Sequence, residues 1–289
     1  MTASAVTRFA PSPTGFLHLG HAYAAFYAAH AAGAQGRFLL RIEDIDRGRC
    51  RAEFEAALLE DLAWLGLRWE TPVRRQSEHF PAYEAALVQL RNDELVYPCF
   101  CTRTDIAQEI AAASAAPHAM GPDGPIYPGT CRHLSGTERA ARMDSGKPYA
   151  WRLHMAAARA RHGTLTWHDA HAGTIAATPE IFGDVVIARK DIPTSYHLAC
   201  TWDDALQGIS LVTRGADLFP ATHIHRLLQA LFDLPTPQYD HHPLTLDAHG
   251  RKFSKRDKAP TLRALRESGR SPDEVIALAG AHNFSCAKG

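Results

Sequence analysis

The chain has 289 residues, 46% of them hydrophobic, which suits a sizeable core and about two domains. Its 31 Lys and Arg balance 31 Asp and Glu, a neutrality that argues against a broad nonspecific nucleic-acid footprint while allowing a local basic patch. No charged-then-apolar leader and no bilayer-spanning apolar run stand out, and the six cysteines (Cys50, Cys99, Cys101, Cys131, Cys200, Cys286) do not read as a secreted disulfide framework, so a reducing cytoplasm without membrane association is expected.

Residues 6–9 read as a short strand and 20–32 as an alanine-rich helix. The run Arg8-Phe9-Ala10-Pro11-Ser12-Pro13-Thr14-Gly15-Phe16-Leu17-His18-Leu19-Gly20-His21 joins them. Histidines three apart at a helix start face the same way. The helix N-terminus adds unpaired N–H groups and partial positive charge, a ready site for phosphate. Gly20 lets a ligand approach the backbone closely. Residues 37–42 form a second strand, and 51–65 an amphipathic helix with Phe54, Leu58, Leu62 and Leu65 at helical spacing. Such alternation predicts a parallel sheet flanked by helices, with ligands at the carboxyl ends of its strands, where His18 and His21 fall. In the acidic cluster Glu43-Asp44-Ile45-Asp46, Asp44 and Asp46 read as caps for the helix that follows.

Past Tyr97 the pattern breaks. Residues 111–124 read as a flexible loop, and 150–154 and 164–168 as short strands. Cys99-Phe100-Cys101 and the distant Cys131 supply three of the four tetrahedral ligands zinc prefers; the residue types alone leave the fourth open, and three free thiols are the alternative. Residues 185–188 and 209–214 look like buried strands, and 221–232 like a helix with the stripe Ile224, Leu227, Leu228, Leu231. His241-His242 reads as an exposed turn. Arg251-Lys252-Phe253-Ser254-Lys255-Arg256 is a basic loop, which taken alone is a solvated charge run. From Thr261 onward one or two short helices are expected, and no internal repeat is seen. The simplest architecture is an α/β domain in two halves, 1–95 and 181–250, split by an insertion at 96–180 and followed by a helical segment at 251–289.

The first run resembles the "HIGH" signature of class I aminoacyl-tRNA synthetases, and its PSPTGFLHLGH form is most similar to the glutamyl branch. Residues 251–256 resemble the "KMSKS" loop of the same enzymes, with Phe253 at an apolar position. The resemblance implies a Rossmann-type parallel-sheet catalytic domain. It implies ATP bound by His18, Gly20, His21, Lys252 and Lys255, with His18, His21 and Lys255 in the catalytic role and Mg²⁺ accompanying the nucleotide. Lysine ammonium groups would close over the charge that builds on the phosphates as pyrophosphate leaves. It also implies glutamate held by Arg8, Ala10, Ser12, Glu43, Tyr196 and Arg214. An Arg fork suits a second carboxylate, and an acidic side chain suits the α-amino group.

Cys-x-Cys followed by Tyr-x-x-x-Cys resembles the glutamyl-Q tRNA(Asp) synthetases. This implies one structural Zn²⁺ per chain on Cys99, Cys101, Tyr127 and Cys131, with His118 and His133 as chemical alternatives to Tyr127. Too few residues follow Lys255 for an anticodon-binding domain. The resemblance therefore implies tRNA-independent activation of L-glutamate by ATP, then transfer to queuosine in the anticodon loop of tRNA(Asp), by a monomer. Two alternatives are a truncated glutamyl-tRNA synthetase charging the 3′ end of tRNA(Glu), and a non-catalytic tRNA- or nucleotide-binding module of the same fold. The intact His18, His21 and Lys255 speak against the module.

Overall fold

The computed structural model describes residues 4–112, 120–244 and 260–284. The chain opens with β1 (Val6–Phe9), α1 (Leu19–Ala32), β2 (Arg37–Ile42), α2 (Ala52–Trp64), β3 (Glu70–Arg75) and α3 (Phe80–Asn92). β2 lies parallel to β1 on one side and to β3 on the other. The turn back from α1 is tight. Gly33 takes φ +73° at the helix end, and a Cβ on Gly36 would lie 1.9 Å from the Ala32 carbonyl oxygen, so glycine alone fits there.

The middle of the chain carries β4 (Val96–Cys99), α4 (Arg103–Ala112), β5 (Met120–Gly121), β6 (Gly124–Pro125), α5 (Gly136–Asp144), β7 (Ala150–Leu153) and α6 (Met155–Ala160), followed by the hairpin of β8 (Thr166–Asp169) and β9 (Gly173–Ala176). Then come β10 (Val186–Ala188), α7 (Tyr196–Leu206), β11 (Leu211–Gly215), α8 (Ala221–Leu231), β12 (Gln238–His242), α9 (Leu262–Glu267) and α10 (Pro272–Leu278). β11 runs parallel to β12, and β12 to β8, with Tyr239 opposite Asp169. Two hydrogen bonds dock the second parallel group beside the first: Ser210 N donates to Val6 O at 3.0 Å, and Val6 N to Ser210 Oγ at 2.9 Å. The resulting order is β3-β2-β1-β11-β12. Helices cover both faces. Leu58 and Leu62 of α2 pack with Phe26 of α1, Leu262 of α9 and Val275 of α10 on one side. Leu87 and Leu90 of α3, Leu198 of α7 and Leu227 of α8 gather on the other. No helix among the described residues is long and apolar enough to cross a membrane.

Several expectations change. The strand pairings cross residue 180: β7 lies between β4 and β10 in an antiparallel sheet, while β8 joins β12. Of the stretch read as a loop at 111–124, residues 113–119 fall outside the described residues, and the end folds into the β5–β6 hairpin. His241 and His242 are not an exposed turn. They end β12, which is paired on both sides, and are only 6% and 4% exposed. Asp44 and Asp46 do not cap α2, whose N-cap Arg51 makes no side-chain cap bond. Asp44 accepts from Ser77 N at 2.8 Å, and Asp46 pairs with Arg49 and Arg189.

Asp203 on α7 pins α3 and the end of β3. It is fully buried and accepts from Tyr83 Oη at 2.7 Å, Gln76 Nε2 at 3.0 Å and Arg74 Nη2 at 2.8 Å. Removing it strands all three donors. Asp203→Ala is expected to lower the unfolding free energy by about 3–5 kcal/mol, read from urea denaturation; a loss under about 1 kcal/mol would show that the helix does not hang on this carboxylate.

Candidate active site

At the carboxyl end of the sheet, a cleft of about 1180 Å³ is lined by the loop after β1, the end of β2 and the start of α7 together with the middle of the chain, Cys101 and Tyr127 included. Ser12, Glu43, Tyr196 and His197 line it. Glu43 is set against the Ser12 loop by its backbone N–H, which donates to Pro11 O at 3.0 Å. Ser195 caps α7, accepting from Leu198 N, and so brings Tyr196 and His197 to the cleft on the first turn. Arg8, Ala10 and Arg214 lie outside the lining, as do His18, Gly20 and His21.

Behind Ser12 and Glu43 sits a buried ion network. Asp204 of α7 receives Arg8 Nε at 2.9 Å and Nη2 at 3.2 Å, and Arg41 Nη1 at 2.7 Å. Arg41 is fully buried, and its Nη2 reaches Glu43 Oε1 at 3.0 Å. Arg8 Nη1 also donates to Thr213 O at 3.1 Å. Arg8 is therefore engaged on both edges, by Asp204 through Nε and Nη2 and by the Thr213 carbonyl through Nη1. Burial alone would raise the Asp204 carboxyl, but the charges of Arg8 and Arg41 outweigh it and hold the group down at about 2. Glu43 goes the other way: burial raises it above the usual carboxylate range against the pull of Arg41 and Arg8.

Arg214, at the end of β11 and 6% exposed, has a different environment. Its Nε donates to His241 Nε2 at 3.0 Å, its Nη1 to His225 Nδ1 at 3.1 Å and Tyr196 Oη at 3.4 Å, and its Nη2 to Thr222 Oγ1. No carboxylate among the described residues lies within ion-pair distance of it. His241 Nδ1 meets Asp169 Oδ2 at 2.7 Å, and His225 Nε2 meets His197 Nδ1 at 3.3 Å. Burial, then the Arg214 charge, pushes His197 and His241 down to about 4. A buried cation faced by neutral partners is poised for an anion.

His18 and His21 cap α1 reciprocally. His18 Nδ1 accepts from Gly20 N at 3.2 Å, and His21 Nδ1 accepts from His18 N at 3.1 Å. The rings lie 3.8 Å apart, so the expected same-face placement holds. Lys252 and Lys255 fall outside the described residues. Thr261 bridges to His18, and Leu262 N donates to Leu17 O at 2.8 Å.

In the middle of the chain, the Sγ atoms of Cys99, Cys101 and Cys131 all lie within 4.8 Å of one another. Tyr127 Oη is 3.6 Å from Cys101 Sγ and accepts from Cys131 N at 2.8 Å. Tetrahedral zinc with bonds of about 2.3 Å spaces its sulfurs about 3.8 Å apart, so the donor set fits. His133 is not in the cluster, and His118 falls outside the described residues. Cys200 is buried beside Asp204 and Cys50 is half-buried; Cys286 is outside the described residues.

Sequence reasoning passed over Arg41, Asp169, Asp204, His197, His225 and His241. One signal was available: Asp203-Asp204 interrupts a helix whose other inward positions are Leu198, Ala199, Cys200 and Thr201, an acidic pair that burial makes costly unless cations meet it.

A parallel α/β sheet with an imidazole-capped helix start at its carboxyl edge and paired arginines behind the cleft defines a class I tRNA synthetase. The family model for tRNA synthetases class I (E and Q), catalytic domain, matches residues 4–285, and the chain belongs to that family, a ligase-type enzyme. Within the family it is 48% identical over 291 residues to the Glutamyl-Q tRNA(Asp) synthetase of Rhodobacter capsulatus, covering 95% of this chain and 99% of that one. It is 44% identical to the Glutamyl-Q tRNA(Asp) synthetase of Nocardia farcinica, covering 96% and 84%. Among solved structures, a glutamate tRNA ligase from Elizabethkingia meningosepticum in complex with its amino acid superposes with a TM-score of 0.76 at 27% identity. The match covers 96% of this chain and 60% of that one.

The depressed histidines give a pH prediction. An unfolded histidine takes up its proton below its ordinary 6.5, whereas folded His197 and His241 do so only near 4. Between those values the unfolded chain binds more protons, so stability is full above 6.5 and falls as pH drops toward 4, by up to about 1.4 kcal/mol per pH unit for each histidine. Urea unfolding across this range is expected to show that slope, and His241→Gln to make it shallower; equal slopes would contradict the assignment.

Proposed function

We propose that this enzyme activates glutamate with ATP, without tRNA, and transfers it to queuosine in the anticodon loop of tRNA(Asp). The observation that carries the amino-acid assignment is Arg214, a buried guanidinium whose partners among the described residues are all neutral, beside Tyr196 of the cleft. The substrate's side-chain carboxylate supplies the missing anion, with the positive charge of Arg8 assisting from behind Glu43. Glu43 takes the α-amino group, and Ser12 and the backbone at Ala10 hydrogen-bond the α-carboxylate end. An α-carboxylate oxygen attacks the α-phosphorus of ATP, the bond to the bridging oxygen breaks, and pyrophosphate leaves. His18, Gly20 and His21 hold the nucleotide at the start of α1, while Lys252 and Lys255 neutralise the leaving pyrophosphate. Mg²⁺ accompanies ATP and shields its phosphate charge. A hydroxyl of the cyclopentene-diol of queuosine then attacks the glutamyl carbonyl, loses its proton, and AMP departs.

The acceptor is supported by two relatives named Glutamyl-Q tRNA(Asp) synthetase, of which this chain spans 99% and 84%. Cys99, Cys101, Tyr127 and Cys131 would hold a structural zinc ion that ties the segment after β4 to Tyr127 and Cys131. We place the reaction in the cytoplasm, on a monomer.

Radiolabelled glutamate with ATP and Mg²⁺, offered tRNA(Asp) with and without queuosine, separates the readings. Label that requires queuosine is expected. Label on the 3′ end of tRNA(Glu) would point to a truncated glutamyl-tRNA synthetase, and absence of pyrophosphate exchange to a binding module. Metal analysis is expected to give about one zinc per chain, lost in Cys131→Ser; wild-type protein that is folded and metal-free would refute the site.

A further inference from the structure

We propose that Asp169 and His241 are positioning residues for Arg214, a fixed chain that holds the guanidinium's Nη edge toward the second carboxylate of the amino-acid substrate. The inference rests on the reading of Arg214 given above.

Arginine has five N–H donors and no acceptor. Since Arg214 Nε donates to His241 Nε2 at 3.0 Å, that nitrogen is bare and the ring proton sits on Nδ1. Nδ1 in turn donates to Asp169 Oδ2 at 2.7 Å. Asp169 cannot swing away. Its Oδ1 accepts from His171 N at 3.0 Å and Ala172 N at 2.9 Å, and its Oδ2 also accepts from His241 N at 3.2 Å. The carboxylate is 1% exposed, and its strand, β8, is paired to β12, which carries the imidazole.

Two consequences follow for Arg214. The negative charge stands one imidazole away, so it orients the guanidinium without forming an ion pair with it, and the positive charge stays available to a ligand. The Nε edge is turned to His241, while Nη2 meets Thr222 and Nη1 meets His225 at 3.1 Å and, at 3.4 Å, Tyr196, which lines the cleft. Orientation matters for selectivity. A carboxylate offers acceptors on both oxygens, whereas a carboxamide brings an NH₂ against the N–H donors of the fork. A guanidinium free to tilt would lose that distinction. Asp169 and His241 touch neither substrate nor nucleotide in this scheme and act through Arg214.

Two measurements test this. Nitrogen-15 spectra of histidine-labelled wild-type protein are expected to show His241 protonated on Nδ1 and bare on Nε2; a proton on Nε2 overturns the chain whatever the substrate is. In ATP–pyrophosphate exchange, Asp169→Asn and His241→Gln are expected to raise the glutamate KM by about tenfold or more, leave kcat within about threefold, and reduce the preference for glutamate over glutamine by about tenfold. Folded variants with wild-type KM and preference would overturn the positioning role. If neither variant folds, the wild-type tautomer decides. Wild-type protein that exchanges pyrophosphate with another amino acid but not glutamate would instead sink the substrate reading, and the spectra would still judge the chain.

Discussion

Asp204 lies between two buried arginines, and the rest of the site depends on that sharing. Arg8 comes from β1, Arg41 from β2 and Asp204 from α7, so one carboxylate joins segments separated by 196 and 163 residues of chain. Two cations this close repel, and burying both would destabilise the fold without the anion between them. With it, Arg41 is free to hold Glu43, and Arg8 to fasten the Thr213 carbonyl just before Arg214. The two parallel strand groups meet at this network, and the cleft opens directly above it.

Two arginines in one site take different roles because of their surroundings. Arg8 is largely neutralised by Asp204, whereas Arg214 is held by imidazoles, a phenol and a hydroxyl. A side chain's formal charge says little about what it offers a ligand; the compensation around it decides. Glu43 shows the converse. Its carboxylate is tethered to Arg41 and raised by burial, so it is an anion at the cleft wall whose hold on its proton responds to what docks against it.

Much of the first half was legible because alternating strands and helices leave strong periodic signals. The strands at 6–9 and 37–42 have the bounds expected, and the helices at 20–32 and 51–65 differ by a residue at their ends. β12 was not legible. Gln238-Tyr239-Asp240-His241-His242 has the look of a surface strand or turn, yet it is buried because its polar side chains satisfy one another: His241 with Asp169 and Arg214, Tyr239 with Gln229. Local polarity reports solvent only when no tertiary partner exists. The same limit hid Asp204 and His225, whose significance comes from residues far away in sequence. Of the candidates that sequence marked, His18 and His21 sit in a local motif whose geometry the helix start alone dictates.

The reciprocal cap at His18 and His21 has a further consequence. Each imidazole gives its Nδ1 lone pair to a backbone N–H, so in this arrangement each carries its ring proton on Nε2. In this arrangement the two rings offer an anion oriented dipoles and no formal charge of their own. Dipoles act over a few ångströms and are hardly touched by dissolved ions, while unpaired cations are screened over about 8 Å at physiological salt. In the proposed reaction the helix start therefore sets where a phosphate rests, and the response of binding to ionic strength belongs to cations carried elsewhere on the chain.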